Sequence, residues 1–180
     1  MLSRLQKGYI MNRVPDVTFK LRERNVETGE FEWTHPTTDW FFGGKRVIAF
    51  SLPGAFTPTC SNFQVPAFEG CFDQFKEQGI DEIYCISCND AFVMNAWAQD
   101  QRVRNVKFIA DGSCEFTAGM DMLVAKDNLG FGKRSWRYAM VVNDGVIEKM
   151  FVEPGKADDC EDDPYGETSP ETIMAYLRGE

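Results

Sequence analysis

RVIAFSLPGAFTPTC, residues 46–60, joins two patterns from which the architecture of the chain can be built. Its first half is a continuous apolar run rather than an alternating one, the pattern of a strand covered on both faces. Pro53 ends that run, because proline cannot donate to a strand ladder. The second half leads through Pro58, Thr57 and Thr59 to a single cysteine, Cys60, at the point where a strand gives way to a helix. A structural thiol behaves as a small buried hydrophobe and needs no such preparation.

Working outward, residues 59–78 read as helical, with Phe63, Phe68, Cys71, Phe72 and Phe75 as apolar positions and Pro66 marking a break or kink. EIYCISC (82–88) is the next strand. NDAFVMNAWAQDQ (89–101) opens with Asn89 and Asp90 as capping residues and continues with helical periodicity. VKFIAD (106–111) follows as a strand. Strands alternating with helices predict an α/β domain whose parallel portion is built by crossover connections. The C-terminal end differs: WRYAMVV, the Asn143-Asp144-Gly145 turn and VIEKMFVE form an antiparallel hairpin signal. SPETIMAYLRG (169–179) is a closing helix capped by Thr168 or Ser169, with Pro170 in its first turn and Gly179 at its end. Upstream, VTFKLR (17–22) alternates like a half-exposed strand, EFEWT (30–34) pairs with it, and WFFGG (40–44) ends a short helix. A mixed sheet with helices on both faces resembles the thioredoxin fold.

A chain of 180 residues that is 43% hydrophobic fits one globular domain over residues 1–180. Lys and Arg number 19 against 28 Asp and Glu, and the net charge of -9 argues against nucleic acid or an anionic membrane as main partner. The N-terminus is basic but lacks the apolar run of a signal peptide, and no later segment is apolar enough to span a bilayer, so the expectation is a soluble cytoplasmic protein. Six cysteines (60, 71, 85, 88, 114 and 160) in a chain with an ample core fit a reducing compartment. Structural zinc is disfavoured, since only Cys85 and Cys88 are close in sequence and His35 is the single histidine. The acidic segment ADDCEDDPYGE (157–167) reads as a solvated loop.

In this layout Cys60 lies in the first turn of a helix, where unpaired backbone N–H groups and the helix dipole favour an anion. A cysteine of ordinary acidity, pKa about 8.5, is only a few per cent ionised at neutral pH. Complete ionisation therefore raises its rate about thirtyfold, roughly 2 kcal/mol, which is too little for a dedicated enzyme. Donors fixed in advance around substrate and leaving group are also needed. Thr57 is placed to return its hydroxyl to the sulfur and an incoming oxygen. Pro53 and Pro58 stiffen the loop, with Pro53 excluding water from one side. The remaining requirement is a cation.

PGAFTPTC contains PxxxTxxC, from Pro53 through Thr57 to Cys60, and resembles the active-site motif of the peroxiredoxins. With NDAFVMNAW and GFGKRSWRYAMVVNDGVIEKMFVEP, the chain is similar to bacterial and plant type II peroxiredoxins, a subfamily that includes glutathione-dependent members. The resemblance implies that Cys60 is the peroxidatic cysteine, that Thr57 and Pro53 are its motif partners, and that Arg137 supplies the cation. Arg134 is a second electrostatic candidate. A guanidinium stays charged and offers directed donors to a thiolate, a peroxide and a leaving oxygen. The implied reaction reduces hydrogen peroxide and small alkyl hydroperoxides, leaving a Cys60 sulfenic acid and water or an alcohol.

The same resemblance implies no bound cofactor: no metal, haem or flavin. Glutathione, with or without glutaredoxin, is the expected reductant and thioredoxin the runner-up. Some bacterial relatives carry a fused glutaredoxin domain, so here the reductant is expected as a separate molecule. A homodimer through the edge near the active site is also implied. Cys85 stands where plant relatives carry a resolving cysteine, with core packing as its alternative role, and Cys160 is the second candidate although its acidic neighbours disfavour a thiolate. Cys85 and Cys88 do not read as a CxxC pair, because strand positions three apart face opposite sides and lie about 10 Å apart. Cys71, Cys88 and Cys114 read as structural. Relatives often carry His-Leu where Gln64 and Val65 stand, a departure expected to affect the pocket rim and not the chemistry. The rival reading is a redox-sensing binding protein or chaperone on the same scaffold.

Overall fold

A computed structural model describes residues 12–180; the basic N-terminal segment read above lies largely outside them. In chain order the elements are β1 (Leu21–Arg24), β2 (Phe31–Thr34), α1 (Thr38–Phe42), β3 (Arg46–Ser51), α2 (Val65–Gly70), α3 (Phe72–Glu77), β4 (Glu82–Ser87) and α4 (Ala91–Gln101). There follow β5 (Lys107–Ala110), α5 (Glu115–Gly119), β6 (Leu123–Ala125), β7 (Lys133–Ser135), β8 (Tyr138–Asn143), β9 (Val146–Val152) and α6 (Pro170–Leu177). The main sheet runs β5-β4-β3-β8-β9, parallel from β3 to β5 and antiparallel from β3 to β9. β1-β2 and β6-β7 are separate hairpins. Among the described residues no helix is long and apolar enough to cross a membrane.

β3 sits at the centre because it is apolar on both faces, and Val47, Ile48, Ala49 and Phe50 are fully buried. Residues in register across a sheet share a face. Phe50 is opposite Cys85 on β4 and Ala139 on β8, and Ala139 is opposite Phe151 on β9. α2 covers that face by stacking Phe68 on Phe50 at 4.1 Å, and α6 covers it through Tyr176 against Phe151. Tyr84 points the other way, toward Phe41 and Phe42 of α1, and Phe42 stacks on Phe116 of α5. Each buried aromatic ring removes enough apolar area to contribute about 2–3 kcal/mol. The β8-β9 turn is the one expected: Asp144 and Gly145 both have positive φ (48° and 77°), which a two-residue hairpin turn requires.

Local details depart from the pattern reading. Residues 17–20 are not in β1, because their backbone is spent on the segment before α1: Phe19 N–H donates to Pro36 C=O and Thr38 N–H to Val17 C=O. Asp90 caps α4 by accepting from Val93 N–H, and Asn89 does not. Pro66 does not break the helix; it lies in the first turn of α2, where its missing N–H is tolerated. The break comes at Cys71 (φ -96°, ψ 3°). Before α2, residues Cys60–Gln64 form a widened π-helical turn in which Val65 N–H donates to Cys60 C=O. Phe63 is 62% exposed, since the position four before the buried Phe68 belongs to Gln64, which takes the inward place.

Candidate active site

Beyond β3 the chain buries Leu52, Pro53 and Gly54 and turns at Phe56, whose φ of 64° is unusual for a bulky residue. Such a conformation costs about 1–3 kcal/mol and persists only where neighbours over-determine it. Here Ala55 N–H donates to the Asn89 side-chain oxygen (3.0 Å), which also accepts from the Ser87 hydroxyl (2.6 Å). Arg134 Nη1 donates to Pro53 C=O (3.0 Å) and occupies the space a Cβ on Gly54 would need. Helical structure then begins at Pro58, and Thr57 C=O accepts from Ser61 N–H (2.9 Å). Cys60 accordingly lies in the first helical turn as the sequence predicts, and its side chain is fully buried.

Thr57 behaves differently from expectation. Its hydroxyl donates to Gly54 C=O at 2.8 Å rather than to the sulfur, so its proton closes the loop and its oxygen keeps only accepting capacity. Arg134 is likewise committed to the loop and to the Phe131 ring and carbonyl, not to Cys60.

Arg137 precedes β8 by one residue and shares the parity of Ala139, which aims it at the Cys60 face. It is 1% exposed, and its Nη1 lies 3.6 Å from Cys60 Sγ. Nη1 also donates to Gln64 Oε1, Nη2 pairs with Asp163, and Nε donates to Pro164 C=O at 3.1 Å. Burial alone would lower its pKa, but the adjacent Cys60 and Asp163 charges outweigh that and raise it. The guanidinium is therefore held charged and aimed at the sulfur.

One expectation is overturned and another extended at this point. Gln64 is not at the rim: it is fully buried, it orients the arginine, and its Nε2 donor has no partner among the described residues. The 157–167 segment is not simply a solvated loop. Asp158 accepts from Ala125 N–H, Asp159 from Asn128 N–H, and Asp163 and Pro164 close over Arg137. Its far end is anchored by Glu153, 2% exposed, whose carboxylate accepts from both Gly166 N–H and Glu167 N–H.

Cys85 is fully buried on β4, on the same sheet face as Phe50 and the helix bearing Cys60. Burial, with the Cys60 charge added, pushes its thiol well up. Cys160 is half-buried against the core rather than open to solvent. His35 is exposed just after β2, away from these groups. Gln64, Asn89, Glu153 and Asp163 escaped the motif reading. For Gln64 a signal existed: a polar residue four positions before Phe68 stands in an inward helical row.

Residues 12–167 match the Redoxin family. A peroxiredoxin of Rhizobium etli is 58% identical over 169 residues, covering 92% of this chain and 94% of that one. A hybrid peroxiredoxin of Haemophilus influenzae is 48% identical over 165 residues, which is 92% of this chain and 64% of the longer relative. The crystal structure of a Plasmodium falciparum antioxidant protein, a 1-Cys peroxiredoxin, superposes with a TM-score of 0.89 at 34% identity, covering 94% of this chain and 99% of that one.

Proposed function

The chain belongs to the peroxiredoxin family, of the type II kind with a thioredoxin-like fold, and from that premise we propose a residue-level mechanism. Peroxiredoxins reduce peroxides through a thiol; in this chain the thiol is Cys60. The observation that carries the reading is the buried Arg137 guanidinium 3.6 Å from Cys60 Sγ.

The Cys60 thiolate attacks one peroxide oxygen, and the O–O bond breaks toward the other. Arg137 Nη1 stabilises charge on sulfur before attack and on oxygen during it. The Thr57 oxygen, its own proton given to Gly54, accepts the hydrogen of the bound peroxide and orients it. Pro53 walls the pocket against water. The leaving oxygen takes up from solvent the proton that the Cys60 thiol gave up on ionising, so the products are Cys60 sulfenic acid and water or an alcohol.

Glutathione, alone or with glutaredoxin, then attacks the sulfenic sulfur, releases water, and a second thiol frees Cys60. No bound cofactor takes part. Cys85 is the alternative resolving thiol; its place on the same face favours it, and its burial means that Cys60–Gln64 must unwind first. In this reading the unwinding begins at the widened turn over those residues. We further read the protein as a cytoplasmic homodimer, with the exposed rings of Phe56 and Phe63 beside the site supporting an interface there.

Purified protein supplied with hydrogen peroxide and glutathione tests the reading. Catalytic consumption that disappears in Cys60→Ser supports it. A single stoichiometric turnover, or activity retained in Cys60→Ser, refutes it. Intact mass after one equivalent of peroxide separates a glutathione-resolved cycle from a Cys60–Cys85 disulfide.

A further inference from the structure

Cys85 on β4 and Cys88, one residue past its end, lie on different faces of the sheet. Cys85 faces the Cys60 helix, whereas Cys88, three residues on, has the parity of Tyr84 and Ile86 and turns to the face covered by α5. There it is 7% exposed, and its Sγ lies 3.3 Å from the Thr117 hydroxyl of α5.

The loops leaving β4 and β5 bring a second cysteine to the same place. Asp111 N–H donates to Ser87 C=O at 2.9 Å, which extends the β4-β5 register by one step. Cys114 N–H then donates back to Asp111 C=O at 2.9 Å, closing a turn that leads into α5. The loops touch so tightly that a Cβ on Gly112 would lie 3.3 Å from Asp90 Cα. Cys114 also heads α5, three residues before the Thr117 whose hydroxyl lies 3.3 Å from Cys88 Sγ, so both thiols border the same helix start, and Cys114 Sγ itself lies 3.8 Å from Lys133 C=O. Cys114 is also a non-glycine residue with φ of 59°, a strained conformation of the kind found at functional positions.

We propose that Cys88 and Cys114 form a second oxidisable thiol pair that closes into a disulfide, on the opposite sheet face from Cys60 and independently of it. Cys114 is half-buried where Cys88 is buried, and is the thiol that meets oxidant. Its sulfur displaces one oxygen of a peroxide; the O–O bond breaks, the peroxide is reduced to water or an alcohol, and Cys114 becomes a sulfenic acid. Cys88, whose thiol burial pushes up, keeps its proton and acts second. Its sulfur displaces the sulfenic hydroxyl, which leaves with the Cys88 proton as water. Two thiols and one hydroperoxide give one disulfide, one alcohol or water, and one further water.

The test uses the full chain carrying Cys60→Ser, so that failure here leaves the Cys60 assignment untouched. The protein is treated with hydrogen peroxide, or with diamide as a thiol-specific oxidant, then alkylated, digested without reductant and mapped by mass. The expected result is loss of two thiols per chain and a peptide linking Cys88 to Cys114, both abolished by Cys114→Ser and retained in Cys85→Ser. The same linked peptide is expected from oxidised wild-type chain, which covers a Cys60→Ser variant that fails to fold. Finding Cys88 and Cys114 both free after either oxidant, joined only to other cysteines, or present only as separate sulfinic acids would overturn the proposal.

Discussion

The side-chain oxygen of Gln64 accepts a hydrogen bond from the same Arg137 nitrogen that lies beside Cys60 Sγ, and both side chains are shielded from solvent. The glutamine thus sets the direction of the cation without touching the sulfur. Gln64→Leu removes that acceptor, and the expected outcome is a drop of about tenfold, roughly 1.4 kcal/mol, in the rate constant for hydrogen peroxide. Gln64→Glu keeps an acceptor but adds a negative charge near the thiolate, so the pH at which reactivity is half-maximal is expected to move upward. Stopped-flow fluorescence across a pH series checks both. Unchanged rates and profiles in the two variants would remove Gln64 from the mechanism.

Asn89 ties the end of β4 to the Cys60 loop through Ala55 N–H and the Ser87 hydroxyl. Asn89→Ala leaves two donors without an acceptor, a destabilisation of about 1–3 kcal/mol, and slows peroxide reduction because the loop loses its over-determination. Asn89→Asp keeps the accepting oxygen and is expected to restore most of both. Urea unfolding and initial rates, measured side by side, give the comparison. Stability lost with no change of rate would mean that the contact supports the fold alone.

Glu153 holds the start of the Gly166-Glu167 segment with one carboxylate. Glu153→Gln preserves shape but replaces one acceptor by a donor facing backbone N–H groups, at a cost of about 1–3 kcal/mol. The loop that carries Asp163 and Pro164 to Arg137 then loosens, so Glu-directed proteolysis within 157–167 should accelerate and peroxide reduction should slow together. Faster cleavage without a kinetic effect would dissociate this loop from the site.

Alkaline pH should destabilise the protein in its reduced form. Burial pushes the thiols of Cys85 and Cys88, and the phenols of Tyr84 and Tyr138, above their ordinary values. Below pH about 8 these groups are protonated whether the chain is folded or not, and their contribution is fully present. Above about pH 8.5 the unfolded chain releases thiol protons that the folded chain retains, so stability falls by about 1.4 kcal/mol per pH unit for each such thiol until the folded groups titrate. Denaturation midpoints in reductant at pH 7.5, 9 and 10 test this. A flat profile would show that the buried thiols are not protonated in the fold as described.

Much of this molecule is written locally. The run Arg46–Ser51 announces a two-sided strand because burial on both faces leaves no polar alternation, and Asp144-Gly145 announces the hairpin because few residue pairs accept two positive φ values. The helix start just before Cys60 is legible for the same reason: Pro58 and the residues before it act on the chain's next few dihedrals. By contrast, the break at Cys71 rather than Pro66 depends on which face Phe68 and Phe75 must present to the sheet, a decision taken by packing.

The α/β alternation, the strand-to-helix turn and the family motif with its cysteine are legible in the chain alone, since each is encoded by neighbours along it. That Gln64 is a buried partner of Arg137, that Asp163 reaches back over the site, and that Thr57 spends its proton on Gly54 emerge only on folding. Most of those contacts join residues some twenty or more positions apart. What such residues touch is set by sheet register and loop closure, not by the residues beside them, so the inward place of Gln64 is marked along the chain while its partner is not.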